Sequence, residues 1–537
     1  MRSSTTAAAS AFTLLFSLGG GVLQAQQVSS PPRPTSPSKP TPGVQRVAYQ
    51  NVPPVPSAGV PPVPNVPNVP APPVESSMPG MAAESTPATS GFTGTEPLST
   101  NRDLSLPKSE REGGGGEPTE VTAAADEATA GGPAAKDPTK LLMNWLGREE
   151  KPVKVYGWLQ NSYTYNANGR AISGQNFGVT PNNLANSWQG NQYYLIFEKP
   201  LKQEDKVNFG FRIDSLFGND WAFNHSHGIF DTAFKNNHFA GYDPAQFYAE
   251  VHLPILTKGG MDIKGGRFYT ILGYEVVPAT GRPLLSVPYM FNYGQPFTHI
   301  GVLSTLHLTD RINVYNGAVN GADHGIIENL KYNYLGGITW TSKDAKWNLA
   351  ISTIAGPQEY PRFLPSNTYI QPTGVPATPP QFSGRTNPYY SGNDRSTTTS
   401  VLSYKWADTF TQVIETDESF EANVPFSTKI TAANPLGRHN AQWQSFGNWF
   451  LWQFWKQDDR DIMTAVWRSE VFRDNNGVRT GFADNFYEMT LGVIIKPKPY
   501  LWIRPEARYD WAQFTHPYAD GTRNSQFTAA VDVILLY

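Results

Sequence analysis

Arg504, Glu506, Arg508 and Asp510 stand two residues apart. In an extended chain that spacing puts all four on one face, while Leu501, Ile503, Pro505, Ala507, Tyr509 and Trp511 take the other. A ladder of alternating sign makes no nucleophile and no acid–base pair of its own. It sets a local field, and charges lining an aqueous passage select ions through such a field. The same four side chains can also pair with one another and only stiffen a wall.

Other charges fall into the same alternation. Arg212, Asp214, Glu250, His252, Asp262, Lys264, Arg468, Glu470, Glu488 and Asp532 join the ladder as candidate pore-lining residues. Eight acids (Asp214, Glu250, Asp262, Glu470, Glu488, Glu506, Asp510, Asp532) face five bases (Arg212, Lys264, Arg468, Arg504, Arg508). A mild preference for cations follows. The stretch Ile271–Pro296 carries Glu275, Arg282 and the aromatic run Pro288-Tyr289-Met290-Phe291-Asn292-Tyr293. It is a candidate constriction loop folding into the passage, or an ordinary surface loop.

Catalysis and metal binding find less support. His225, His227, Asp231 and His238 cluster, but without a third ligand at a defined spacing, and a polar loop explains them better. His299 and His307 are available to a hydrolase, yet nothing marks a nucleophile. Zinc and phosphate-cradling motifs are absent from the sequence, no cofactor is expected, and the protein is read as a non-enzyme. Cysteine is absent, which excludes disulfides and thiolate sites. A net charge of −3 gives no reason to expect nucleic acid.

The elements that position these charges are strands. Four charges on one face resist burial in a dry core. A soluble sheet can turn them to water, but its apolar face then needs a second layer. A membrane barrel needs none, because lipid covers the outside and a wet lumen takes the charges. Only 39% of the chain is hydrophobic, yet it holds 14 Trp, 25 Tyr and 29 Phe. That combination suits a barrel with aromatic girdles. Strands are predicted near 153–165, 189–199, 206–217, 244–254, 260–270, 297–308, 311–320, 329–341, 346–356, 397–405, 409–417, 440–455, 460–472, 484–496, 499–513 and 525–537. The connections alternate short and long, the outer-membrane pattern. The expected fold is all-β: a transmembrane antiparallel β-barrel of about sixteen strands, within roughly twelve to eighteen. An even count puts both ends on the short-turn side.

Ahead of the barrel (150–537), three segments are expected. Residues 1–25, with Arg2 and the run Ala7–Leu23, read as a signal peptide. Residues 26–136 are rich in Pro, Ala and Gly, as in Val60-Pro61-Pro62-Val63-Pro64, and cannot bury a core. They read as a disordered periplasmic spacer. Residues 137–148 read as a short helix with Asp137 as cap, Pro138 in its first turn and Gly147 at its end.

Several stretches resemble the β-barrel porin-2 (OmpL-like) family. They are Val155-Tyr156-Gly157-Trp158-Leu159, Gln246-Phe247-Tyr248-Ala249-Glu250-Val251, Lys264-Gly265-Gly266-Arg267-Phe268-Tyr269 with Gly273-Tyr274-Glu275, and Pro296-Phe297-Thr298-His299-Ile300-Gly301. Near the end come Arg468-Ser469-Glu470-Val471-Phe472-Arg473-Asp474 and Arg504-Pro505-Glu506-Ala507-Arg508-Tyr509-Asp510. The resemblance covers about residues 150–537. It implies an outer-membrane barrel passing small hydrophilic solutes or ions by passive diffusion, with both termini periplasmic. The terminal aromatic Tyr537 resembles the C-terminal signal read by the barrel-assembly machinery. Outer-membrane lipid and a homotrimer complete the expected partners. The competing reading is a structural or adhesin-like binding protein whose spacer reaches the cell wall.

Overall fold

The computed structural model describes residues 137–147, 151–169, 174–226, 229, 240–325, 332–357, 394–424, 439–457 and 460–537. The expected signal peptide and spacer lie outside the described residues. Helix α1 (Leu141–Leu146) opens this part. It is shorter than the sequence suggested. Asp137 Oδ1 accepts from the Thr139 amide and hydroxyl and so closes a turn ahead of the helix. Gly147, with φ 63°, ends it by donating to the Asn144 and Met143 carbonyls.

Sixteen strands follow: β1 (Lys154–Asn166), β2 (Ser187–Lys199), β3 (Asn208–Gly218), β4 (Gly241–Leu253), β5 (Met261–Tyr269), β6 (Thr298–Thr309), β7 (Ile312–Val319) and β8 (Asn333–Thr341). The second half has β9 (Trp347–Pro357), β10 (Asp394–Ala407), β11 (Phe410–Val424), β12 (His439–Gln457), β13 (Arg460–Asp474), β14 (Asp484–Lys498), β15 (Leu501–Ala512) and β16 (Ser525–Leu536). Each pairs antiparallel with its sequence neighbours, and β1 pairs with β16, so the barrel is closed and has no edge. Pro505 tests the scheme. Its missing N–H falls where the β14–β15 ladder jumps from Gly492–Glu506 to Ile495–Ile503.

Connections after even strands are short, the longest being 200–207. Those after odd strands are longer, with 270–297 and 358–393 spanning the most residues. Both barrel ends therefore lie at the short-turn rim.

The polarity is inside out. Arg267, Arg468, Arg504 and Arg508 are wholly buried within the barrel, while Phe209, Val302, Trp452 and Leu491 are each more than half exposed on its outside. A water-soluble sheet would reverse this; lipid around the outside removes the penalty. Outward aromatic groups gather toward both rims. Trp347, Tyr404 and Trp406 pack together at the short-turn end, and Tyr487, Tyr509 and Trp511 at the other. Among the described residues no helix is long and apolar enough to cross a membrane.

Candidate functional site

Alternation in β13–β16 turns one set of side chains inward, and the register stacks them into rungs. Glu470, Glu488, Asp510 and Gln526 form one rung; Arg468, Thr490, Arg508 and Thr528 the next. Gly492, Glu506 and Ala530 form a third, and Arg504 faces Asp532 below it. Cations pair across rungs and strands. Arg468 meets Glu488 at 2.6 Å, Arg508 meets Asp510 at 2.7 Å and Glu488 at 3.7 Å, and Arg504 meets Asp532 at 2.5 Å. Asp532 also accepts from Gln160 on β1 at 2.6 Å.

These pairs do a second job. Residues 270–297, between β5 and β6, fold into the barrel, and the ladder grips their backbone. Arg504 donates to the carbonyls of Ala279 (2.9 Å) and Arg282 (2.7 Å). Glu506 accepts from the amides of Leu285 (2.9 Å) and Ser286 (3.1 Å). Arg468 donates to the Ser286 carbonyl at 2.5 Å and Arg508 to that of Val287 at 2.7 Å. Glu470 accepts from the amides of Tyr289 (2.6 Å) and Met290 (2.5 Å). An irregular segment buried in a barrel must satisfy its backbone groups, and charged partners do so most strongly.

Shape follows the same plan. An added Cβ on Gly492 would lie 2.4 Å from Leu284 Cδ2, and one on Gly447 would lie 2.8 Å from Met290 Cε. Glycine on the wall thus leaves room for side chains of the inserted segment. The segment's own charges are paired. Glu275 lies 3.5 Å from Arg468 and accepts from Trp449 Nε1 at 3.0 Å. Arg282 lies 3.3 Å from Asp220. Burial pushes the Glu275 carboxyl above its ordinary range against the pull of Arg468 and Arg282. Burial likewise raises Asp220, opposed by Arg282.

Arg212, Asp214, Glu250 and Lys264 lie apart from this, on the β3–β5 wall. Arg212 reaches Asp214 at 2.8 Å and Glu198 at 3.2 Å. Lys264 lies 3.7 Å from Glu250 and 4.2 Å above the Tyr248 ring. Most of these groups are partly accessible, with Arg212 at 24% and Lys264 at 14% side-chain exposure, whereas the ladder is sealed. His252 and His307 both contact Asp262, at 2.6 and 2.9 Å. Tyr537 exchanges two backbone hydrogen bonds with Gly157 and donates its hydroxyl to the Tyr194 carbonyl at 2.9 Å.

His227, Asp231 and His238 lie outside the described residues, and among those described no His, Asp or Glu group has metal-holding geometry.

Several participants were missed from sequence. Glu415 and Asp417 on β11 both accept from Gln295 Nε2, at 2.6 and 2.8 Å, and Glu415 also accepts from the Tyr274 amide. Their signal was available, since Val413, Glu415, Asp417 and Ser419 alternate as the ladder does. Asp220 opposite Arg282, and Asp243 at 2.6 Å from Arg267, gave no signal, because each pair joins distant connections or strand ends.

This arrangement positions fixed charge and fills space. The chain matches the family described as "Putative beta-barrel porin-2, OmpL-like" over residues 152–537. No curated protein sequence matches it. Among solved structures, the barrel is similar to the outer membrane channel DcaP of Acinetobacter baumannii (9% identity, TM-score 0.46, covering 72% of this chain and 97% of that one). It is also similar to Pseudomonas putida OprB (10%, 0.44, 75% and 99%) and to an anion-selective porin from Comamonas acidovorans (8%, 0.41, 72% and 99%). By its family match and its inside-out sixteen-stranded barrel, the chain belongs to the porin-2, OmpL-like family and is an outer-membrane β-barrel porin.

Proposed function

We propose that small hydrophilic solutes or ions diffuse passively through this barrel past a constriction made by residues 270–297. The observation that carries the reading is the grip of Arg468, Glu470, Arg504, Glu506 and Arg508 on that segment's backbone. A segment tethered by so many charge-assisted bonds narrows the passage and does not swing freely. The accessible wall carrying Glu198, Arg212, Glu250 and Lys264 then supplies the field that a permeating ion meets. Most of the acids and bases counted above are sealed in the ladder, so the mild cation preference rests on the accessible wall, where Asp262 joins Glu198 and Glu250 against Arg212 and Lys264.

In this reading the short turns and both chain ends face the periplasm, and the long connections face outward. Outer-membrane lipid covers the apolar wall, the barrel-assembly machinery reads Tyr537, and three copies associate as a homotrimer. Single-channel conductance of the refolded protein in a planar bilayer under a salt gradient tests the proposal. Discrete steps with a cation-side reversal potential are expected. A silent bilayer from protein with heat-modifiable gel mobility would sink it.

A further inference from the structure

Several lipid-facing polar side chains elsewhere on this barrel are satisfied within it. Asn161 accepts from the Tyr193 hydroxyl at 2.9 Å, Asn316 from that of Tyr334 at 3.1 Å, and Ser215 bonds Tyr242 at 3.2 Å. The outer wall of β10–β13 departs from this. Among its outward apolar groups stand Ser400 and Thr398 on β10, Thr416 and Glu418 on β11, Gln442 and Gln444 on β12, and Ser469 and Arg473 on β13. Thr398 bonds the Thr353 hydroxyl at 2.9 Å, and Arg473 Nε donates to Asn475. Thr416, Glu418, Gln442 and Gln444 are exposed, and their side chains have no hydrogen-bond partner among the described residues. By contrast, β15 presents Leu501, Ile503, Pro505, Ala507, Tyr509 and Trp511 outward.

Depth makes the patch costly. Phe420 lies one outward position beyond Glu418 toward the long connections and is itself 37% exposed, so the apolar band has not ended where Glu418 stands. Hydrocarbon offers a carboxylate or an amide no partner. We propose that this wall is the contact face between copies of the chain, with a neighbouring copy supplying the missing hydrogen bonds. The proposal rests on the outer-membrane, self-associating reading above and names the face that reading left open.

Charge selects a second copy over other occupants. Thr398, Glu418, Gln444 and Arg473 form one rung across four strands. Glu418 and Arg473 are two strand spacings apart, about 10 Å, too far to pair within one barrel. They mark opposite sides of the patch, with the amides between. Three copies around an axis through Gln444 bring Glu418 of each beside Arg473 of the next, and the ring closes. Acyl chains supply neither a donor to Glu418 nor an acceptor to Arg473.

The test uses the full chain, which has no cysteine of its own. Gln444→Cys should form disulfide-linked pairs in oxidised membranes, whereas Ala529→Cys on β16, four strands round the barrel from β12, should form only a trace. Glu418→Lys and Arg473→Glu should each convert the detergent-extracted oligomer to monomer by native mass, and the double swap should restore it. Heat-modifiable mobility checks folding. The monomeric variants should still conduct, which separates this idea from the porin reading. Single swaps that leave the mass unchanged, a monomeric parent protein, or Gln444→Cys cross-linking no better than Ala529→Cys would overturn it.

Discussion

Removing the Glu506 carboxylate asks how firmly the inserted segment is held. Glu506 sits on β15 with uncharged register neighbours, Gly492 and Ala530, so its truncation leaves the wall's ion pairs in place. Its two oxygens take the amides of Leu285 and Ser286. In Glu506→Ala both amides stay buried without an acceptor. A buried unsatisfied group costs about 1–3 kcal/mol, so the docked segment loses about 2–6 kcal/mol. Water entering the vacated space hydrates the amides in part and favours the low end. At about 1.4 kcal/mol per decade, even 2 kcal/mol raises the undocked population roughly 30-fold. Arg468, Glu470, Arg504 and Arg508 still hold their carbonyls and amides, so the segment stays docked most of the time. The expected signature in single-channel recordings is therefore frequent brief excursions to a larger conductance, with limited proteolysis now cutting within 283–287. Glu506→Gln keeps one acceptor oxygen and should fall between. A folded Glu506→Ala barrel with unchanged current noise and unchanged protease resistance would refute the idea that these bonds hold a constriction.

Other perturbations probe the same architecture. Gly492→Val places carbon where Leu284 packs and should cost about 1–3 kcal/mol of segment docking, seen as the same excursions without any change of charge. Glu275 has a raised pKa in the folded state, so its neutral form favours docking: that contribution is present below the ordinary carboxylate range and is lost as pH rises through the raised value. Current noise should therefore fall on acidification, and Glu275→Gln should flatten that pH dependence. Lys264→Glu on the accessible wall should move the reversal potential toward stronger cation preference, since the field at that wall loses a positive and gains a negative charge. Deleting Tyr537 removes two backbone bonds to Gly157 and the hydroxyl bond to Tyr194, and should lower the yield of heat-modifiable barrel more than the conductance of what does fold.

Much of this was readable in the chain, for a physical reason. In β15 the alternation of Arg504, Glu506, Arg508 and Asp510 with Leu501, Ile503 and Tyr509 is the direct imprint of two solvents on two faces. The same logic found sixteen strands and sorted their connections. It stopped at the partners. Nothing in the pattern around Glu470 says that its acceptors point at the amides of Tyr289 and Met290, about 180 residues away. Backbone groups look alike at every position, so a carboxylate that binds main chain leaves no complementary residue to find. Glu415 and Asp417 obey the same alternation, and their partner Gln295 carries no charge that would mark the pairing.

The separation in chain position of the inserted segment from its anchors has a consequence for biogenesis. Residues 270–297 emerge before any of β13–β16 exists, and their bonds to the ladder span about 180 to 225 residues. Each anchor therefore lies far downstream of the segment it must capture. Closure is equally late, because β1 waits for β16. An unfinished barrel would hold an unmoored stretch rich in aliphatic and aromatic side chains, Leu284 to Phe291, facing an open seam. Such a chain is exposed to aggregation and proteolysis until its final strand is in place, and residues 270–297 can be held only in molecules whose C-terminal third has folded.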